Sequence, residues 1–170
     1  MMGRNFRQVY TILLSLVLFI GVSWGAIGFF PTPALAIDYA KETLIGSDFS
    51  GRDLQGVNFN QANLRDSNFS NANLQGISFF GANLQKADLT GANLQNSTLD
   101  TARLMRANLT NALLQGSFAF NTKFDGAIID GADFTDVFMR DDTKKKLCAV
   151  AKGTNPITGN NTRDTLLCDE

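Results

Sequence analysis

Three features of the sequence predict an all-β fold in the form of a four-sided β-helix. Large apolar residues recur at every fifth position from Leu44 to Met139, without insertion or deletion, which makes twenty units. Two positions before these centres the side chain is small, with ten Ala and four Ser among the twenty. Two positions after them, sixteen of the twenty residues are Gly, Asn or Asp. A repeat of this regularity predicts a solenoid in which each unit packs against its neighbours.

The period of five dictates the shape of the coil. It matches neither the 3.6-residue period of a helix nor the two-residue period of a strand, so the chain must turn after every unit. Gly, Asn and Asp tolerate the positive φ that such corners need. Between corners, a centre and the small residue two positions earlier point to the same side, which is the interior. Because close packing leaves no room for a second large group, this pairing of large with small predicts a narrow, square coil.

Four sides per turn predict coils of twenty residues. Residues 44–139 then build about five coils, which at the ~4.8 Å spacing of paired strands form a rod of roughly 24 Å. Like residues stack on like, since the centres of the first side are Leu44, Leu64, Leu84, Leu104 and Phe124. The second, third and fourth sides begin with the centres Phe49, Leu54 and Phe59. No proline falls within the repeats, as expected where each coil must donate backbone N–H groups to the next.

Units such as Ala72-Asn73-Leu74-Gln75-Gly76 resemble those of the pentapeptide-repeat family. The resemblance covers the whole array, and it implies the fold of that family, a right-handed quadrilateral β-helix. The sequence departs from the family pattern toward its C-terminal end, where other residues replace the usual Asn or Asp just before the centre. These residues are Arg103, Leu113, Phe118, Lys123, Ile128 and Phe138.

The first 36 residues have the organisation of an export signal rather than of a folded domain. Arg4 and Arg7 form a short basic segment, residues 9–30 are almost wholly apolar, and residues 34–36 are the small-x-small sequence Ala-Leu-Ala. These features predict a Sec-type signal peptide over residues 1–36 and a mature chain that begins at Ile37. An uncleaved membrane anchor is the alternative, because the apolar stretch is long enough to span a bilayer.

After the last unit the five-residue period stops and a helical pattern begins. Asp141 and Asp142 are candidate N-terminal caps for a helix over residues 143–152, and Gly153 follows at the position of a C-terminal cap. A turn through Asn155-Pro156 and Gly159 then leads to a second short helix, which begins at Thr162 and ends near Cys168. We expect these helices to cover the last coil, which would otherwise leave unpaired backbone groups open to another chain.

Cys148 and Cys168 are the only cysteines, and each falls in one of the predicted helices. In a chain with an export signal we expect them to form a disulfide bond. The alternative is a redox-responsive pair that regulates the protein in its compartment. Beyond the signal peptide, the predicted domains are a β-helix over residues 37–140 and a helical cap with the disulfide over residues 141–170.

The C-terminal segment carries a second resemblance. Residues 153–159, Gly-Thr-Asn-Pro-Ile-Thr-Gly, followed by Thr162 and Arg163, resemble the tail of cyanobacterial and plastid thylakoid-lumen pentapeptide-repeat proteins. The resemblance implies a cyanobacterial source and a location in the thylakoid lumen, with the periplasm as the alternative.

The composition argues against an enzyme. The chain has no histidine to act as general base or metal ligand, no nucleophile motif and no glycine-rich phosphate loop, and Leu and Phe fill its predicted core. We therefore expect no catalytic residue, no cofactor and no metal.

A net charge of −1 does not provide the clustered basic face that nucleic-acid binding requires. The expected function is that of a monomeric, non-enzymatic scaffold for an unknown protein partner, with membrane contact only through the uncleaved signal segment.

DNA mimicry is a second function class, because the family includes gyrase-targeting members that inhibit a topoisomerase with an acidic rod. Such a function would require a continuous negative face and a cytoplasmic protein. Here the outward carboxylates are interspersed with cations, and the sequence predicts an export signal. The outward charged residues are Asp48, Asp53, Asp88, Asp100 and Asp125 among Arg65, Lys86, Arg103 and Arg106.

The fourth side carries the candidate binding site. The residues that flank its centres are expected to face outward, and four of them are aromatic: Phe80, Phe118, Phe120 and Phe138. Contiguous apolar patches of this kind mark interaction sites. The alternative is that Phe118 and Phe120 turn inward to compensate for the undersized centre Ala119, or that the C-terminal helices cover Phe138. The sequence leaves open whether these rings are exposed or are covered in one of these ways.

Overall fold

The computed structural model describes residues 37–168, and this part of the chain winds in turns of twenty residues. Isolated parallel β-bridges join residues twenty apart, from Asp38 with Asn58 to Phe118 with Phe138. The bridging residue is always the one before a centre. Each side is therefore a short extended segment with one bridging residue, and the described residues contain no strand longer than this. This register is that of the predicted four-sided coil. The predicted signal peptide and its cleavage site lie outside the described residues.

The array begins one unit earlier than predicted. The N–H group of Tyr39 donates to the carbonyl of Asn58 at 2.8 Å, and the N–H group of Lys41 donates to that of Asn60 at 2.8 Å. Tyr39 and Lys41 do not match the preferred residue types of a centre and a corner, which is why the sequence pattern starts at Leu44. Stacking on the next coil is sufficient here, because the ring of Tyr39 lies parallel to that of Phe59 with 5.3 Å between centroids.

The corners follow position in the coil more strictly than residue type. Every corner from residue 41 to residue 136 has φ between 55° and 78°. Gln61, Lys86, Thr101 and Arg106 depart from the Gly, Asn and Asp pattern, and yet their φ angles lie at 58° to 60°. The hydrogen bonds of the coils above and below hold these residues in a conformation that they rarely adopt alone.

Aromatic rings fill the N-terminal half of the core. Phe69 lies parallel to Phe49 at 4.9 Å between centroids, and its edge meets the rings of Phe59 at 5.7 Å and Phe79 at 5.8 Å. Small residues beside the centres, such as Ala92, are fully buried as well. The interior therefore has the pairing of large with small side chains that the sequence predicts, and leucines continue it toward the C-terminal end.

The C-terminal segment contains two helices, α1 over Asp141–Cys148 and α2 over Thr162–Thr165. The prediction of a helix over residues 143–152 was wrong at both ends. Asp141 and Asp142 lie in the first turn of α1, and the N-cap is Arg140, which makes no capping side-chain hydrogen bond. The second helix is only four residues long, so Cys168 lies beyond its end.

The early end of α1 has a structural cause in the last coil. The carbonyl of Lys152 accepts a hydrogen bond from the N–H group of Gly131 at 2.9 Å, which requires the chain to leave the helix and follow the coil. Gly153 does not cap a helix as predicted. Its φ is +83°, and a Cβ atom at this position would lie 2.8 Å from the nitrogen of Gly131. Glycine is needed here because two backbones meet.

The loop after Gly153 is anchored by Asn155, which is fully buried. Its Nδ2 group donates to the carbonyls of Gly131 at 2.8 Å and Asn111 at 3.2 Å. Its Oδ1 atom accepts from the N–H groups of Ile157 at 2.9 Å and Thr158 at 3.2 Å. The side chain thus ties the loop both to itself and to the last two coils.

Cys148 and Cys168 form a disulfide bond in the structure, with Cα atoms 5.4 Å apart. The bond joins the end of α1 to the end of the described chain. Arg163 adds to this connection, since its Nη1 atom donates to the carbonyl of Cys148 at 3.1 Å. The disulfide lies within the C-terminal segment, and neither cysteine supplies a hydrogen bond to the coils.

Replacing Cys148 by Ser is expected to lower the free energy of unfolding of the C-terminal segment by ~3 kcal/mol, because the open loop regains chain entropy. The β-type circular dichroism at low temperature should stay unchanged, since the coils do not depend on the bond. Thermal unfolding followed by circular dichroism measures both quantities, with the chemically reduced wild-type protein as the control. Loss of the β signal at low temperature would contradict the separation of rod from cap.

Candidate functional site

Four phenylalanines on the fourth side of the rod form what we call the aromatic surface: Phe80, Phe118, Phe120 and Phe138. Their exposed fractions are 44%, 49%, 52% and 70%. The structure therefore decides the question that the sequence left open, because Phe118 and Phe120 point outward while Ala119 is buried between them. The C-terminal helices leave Phe138 uncovered.

A hydrogen bond between neighbouring coils allows phenylalanine to occupy position 118, where the family pattern has Asn or Asp. In an ordinary unit that polar side chain accepts a bond from the N–H group two residues later, as Asp48 does from Ser50 at 3.0 Å. Phenylalanine has no such acceptor. The N–H group of Phe120 instead donates to Oδ1 of Asp100, one coil earlier, at 2.7 Å. The turn is thus satisfied without a polar residue at position 118, and an aromatic ring can occupy it.

The structure brings three of the four predicted aromatic residues together. The rings of Phe118 and Phe138 stack with 5.9 Å between centroids, and Phe120 flanks the same centre as Phe118. Phe80 lies in the column of Phe120 but two coils away, roughly 10 Å along the rod. Asp100 occupies the position between them. The continuous part of the aromatic surface therefore lies at the C-terminal end of the fourth side.

Charged groups are distributed unevenly over the other sides. Cations gather on the first side, where Arg103 and Lys123 form a β-bridge and Lys86 and Arg106 occupy its corner. All four are exposed, and none takes part in an ion pair within the described chain. Carboxylates occur on every side, and no side presents an unbroken column of them.

A polar cluster that sequence reasoning missed lies on the third side, around Asp133. This residue is fully buried, and its Oδ2 atom accepts hydrogen bonds from Gln115 at 2.9 Å, Thr158 at 2.7 Å and Asn160 at 3.0 Å. Burial by itself would raise the pKa of Asp133, but the hydrogen bonds from Thr135, Thr158 and Asn160 lower it below the usual value of 3.8. The cluster holds the C-terminal loop on the rod. Its only sequence signal is an Asp in the usual outward position.

Neither a metal centre nor a membrane span is found in the described part of the chain. Among residues 37–168, no cluster of histidine, cysteine, aspartate or glutamate has the arrangement of a metal site. Over the same residues, no helix has the length and apolar character needed to cross a bilayer.

Comparison with known proteins identifies the family. The model of pentapeptide repeats matches this chain over residues 44–79, 77–116 and 102–141. The chain belongs to the pentapeptide-repeat family. The matched region is the rod itself, and the fold of this pentapeptide-repeat protein is accordingly the right-handed quadrilateral β-helix of solved family members.

Two solved structures are similar to this pentapeptide-repeat protein, and one of them is a protein of the thylakoid lumen. A crystal structure of a pentapeptide repeat protein from the thylakoid lumen of Arabidopsis thaliana is 48% identical, with a TM-score of 0.75. The match covers 77% of this chain and 91% of that one. A second structure, a pentapeptide repeat protein from Nostoc PCC 7120, is 27% identical with a TM-score of 0.52, over 61% of this chain and 84% of that one.

Two thylakoid-lumen proteins of Arabidopsis thaliana are similar over shorter stretches. Thylakoid lumenal 15 kDa protein 1 is 63% identical over 49 residues, which are 29% of this chain and 22% of that protein. Thylakoid lumenal protein TL20.3 is 51% identical over 43 residues, which are 25% of this chain and 15% of that protein. The chain thus spans less than a quarter of the length of either relative. The pentapeptide-repeat protein is related to lumenal proteins.

Proposed function

We propose that this pentapeptide-repeat protein is an exported, non-enzymatic scaffold of the thylakoid lumen that binds a protein partner through its aromatic surface. The rod of about five coils, covered in part at its end by the C-terminal cap, provides a rigid support for that surface. A Sec-type signal over residues 1–36 directs the chain to the lumen, with the periplasm as the alternative compartment. The lumenal relatives support the location, and the exposed phenylalanines support the binding role.

The observation that carries the binding role is the exposure of stacked aromatic rings on one side of the rod. Phe118 and Phe138 stack on each other and still present about half or more of their surface to solvent. Exposed apolar patches rimmed by polar residues mark protein interaction sites, and aromatic residues are enriched at the centres of such interfaces. The equivalent positions of the first coils are the polar Asn58 and Asn60, so coil stacking alone does not require phenylalanine there.

Replacing Phe118 and Phe120 together by Ser is expected to abolish partner capture and to leave the melting temperature almost unchanged. Both rings are half exposed, so their removal creates no cavity. The measurement combines thermal unfolding with capture of partners from lumenal extract by immobilised wild-type and variant rods. Phe80→Ser, tested in parallel, shows whether the distant part of the aromatic surface contributes.

A matched control on the first side keeps this experiment specific. Arg103 and Met105 flank the centre Leu104 as Phe118 and Phe120 flank Ala119, so Arg103→Ser/Met105→Ser changes the same two positions on another side. This control should retain the partners. Unchanged partners for the Phe118/Phe120 variant would place binding elsewhere, and a large fall in its melting temperature would show that the rings serve the core.

A further inference from the structure

The C-terminal segment covers some sides of the last coil and leaves a cleft on the first. On the second and third sides, Gly131 donates its N–H group to the carbonyl of Lys152 at 2.9 Å, and Phe134 donates to the hydroxyl of Thr165 at 3.1 Å. On the first side, residues 121–127 and α1 enclose a cleft of about 370 Å³. That volume falls within the range of ligand pockets. We call it the edge cleft.

The hydrogen bonds between coils on the first side show which backbone groups lie at the floor of this cleft. One coil earlier, Leu104 donates its N–H group to the carbonyl of Lys123 at 2.8 Å, and Arg106 donates to that of Asp125 at 3.0 Å. Lys123 in turn donates to the carbonyl of Ala102 at 3.0 Å. Each coil therefore presents two N–H groups and one carbonyl to the next coil on this side.

In the last coil the same three groups belong to Phe124, Gly126 and Thr122, and all three residues line the edge cleft. Within residues 37–168, neither the N–H groups of Phe124 and Gly126 nor the carbonyl of Thr122 has a hydrogen-bond partner. The next coil would supply those partners, but the chain has turned into α1 instead. An unpaired edge of this kind is a template for a further strand.

We infer that the edge cleft binds an extended peptide segment, which adds to the rod as one more parallel strand and carries an acidic residue followed by a large apolar one. The inference rests on backbone geometry at the end of the rod, and it is independent of the aromatic surface and of the proposed function. Strand addition is a general mode of peptide recognition in which main-chain bonds supply affinity and side-chain pockets supply specificity.

The register of the ladder assigns a place to each peptide residue. The first residue donates to the carbonyl of Thr122 and accepts from the N–H group of Phe124, so its side chain lies in the column of Lys123. The second points inward above Phe124, beside Leu147 and Val150, which line the cleft. The third accepts from the N–H group of Gly126. We expect an apolar second residue because its side chain would lie against the apolar side chains of Leu147 and Val150.

The charges at the rim of the cleft favour an acidic first residue in the bound peptide. Two ion pairs occupy the rim of the cleft, Lys146 with Asp125 at 3.7 Å and Arg140 with Asp142 at 3.0 Å. Lys123 is exposed and takes part in no ion pair of the described chain. An aspartate or glutamate in its column would pair with it across the 4.8 Å spacing of the coils. Units of the rod itself have this chemistry, since residues 47–51 are Ser-Asp-Phe-Ser-Gly.

The probe is therefore the synthetic peptide acetyl-Gly-Ser-Asp-Phe-Ser-Gly-amide, titrated into the full mature chain and followed by nuclear magnetic resonance. In the free protein the amide hydrogens of Phe124 and Gly126 should exchange rapidly with solvent, whereas those of Leu104 and Arg106 should be protected. Saturating peptide should shift the Phe124 and Gly126 resonances and slow their exchange at least tenfold. Binding that leaves these two amides unchanged, or absence of binding at millimolar peptide, would overturn the inference.

Variants of both partners test the details. A peptide with an N-methylated aspartate cannot donate to Thr122, so its binding should be lost. Lys123→Glu should raise the dissociation constant of the original peptide about tenfold and improve binding of the lysine-for-aspartate analogue. Val150→Trp, at an exposed position of the rim, should block the cleft without disturbing the core. Equal binding of the N-methylated peptide would refute strand addition, and protection of Phe124 that grows with protein concentration alone would assign the edge to a second copy.

Discussion

Replacing Phe69 by Ala is expected to lower the free energy of unfolding by about 3–5 kcal/mol, the range found when a buried phenylalanine is removed from a packed core. Phe69 is fully buried and touches the rings of Phe49, Phe59 and Phe79. The square cross-section leaves the neighbouring coils little freedom to close the cavity, because backbone hydrogen bonds fix their spacing. Denaturant unfolding followed by circular dichroism measures the loss.

Phe80→Ala is the matched control, since Phe80 is the same residue type in the same half of the rod but is 44% exposed. Its expected effect is within about 0.5 kcal/mol, as for most surface substitutions. Equal losses for the two variants would mean that the fourth-side rings contribute to packing as much as the core rings do, which would contradict their assignment to a binding surface.

Replacing Gly153 by Ala is expected to detach the C-terminal loop from the last coil, at a cost of about 2–5 kcal/mol from backbone overlap and positive φ together. The added Cβ atom would lie 2.8 Å from the nitrogen of Gly131, whose N–H group bonds to Lys152. Hydrogen exchange of the Gly131 amide measures the effect directly, because this amide should lose its protection when the loop moves away.

Gly159→Ala separates the effect of backbone overlap from the effect of positive φ. Gly159 has a similar φ of +73°, but a Cβ atom there would meet nothing within 4 Å. This variant should show only the strain of a left-handed backbone, about 1–2 kcal/mol, and should keep the Gly131 amide protected. If both glycine variants released that amide equally, the contact between Gly153 and Gly131 would not be what positions the loop.

The period of the sequence was sufficient to predict the rod, because each unit makes the same local choices. A large centre, a small partner and a corner residue have a fixed meaning at every fifth position, and twenty repetitions average out single exceptions. The first unit was missed because Tyr39 and Lys41 satisfy the coil through stacking and backbone bonds, which a residue pattern does not record. Thr101 and Arg106 show the same effect at corners, where the neighbouring coils impose φ.

The C-terminal segment was predicted less well because it has no repetition and its structure depends on contacts with the rod. The two cysteines indicated the disulfide, but the end of α1 depends on a bond between Lys152 and Gly131 that joins residues from different elements. Asn155 looked like a turn residue in the sequence. Only the folded chain shows that it is buried and that its amide reaches two coils.

For the candidate sites, the sequence by itself determined which side chains occupy the outward columns, since the period of five assigns every residue to a side. It therefore placed Phe80, Phe118, Phe120 and Phe138 on the fourth side. Only the tertiary structure decided that these rings stay exposed and that the backbone N–H group of Phe124 remains unpaired on the first side of the last coil. The physical reason is that exposure and backbone pairing depend on what packs at the end of the rod, where the repeat stops and its rules no longer apply.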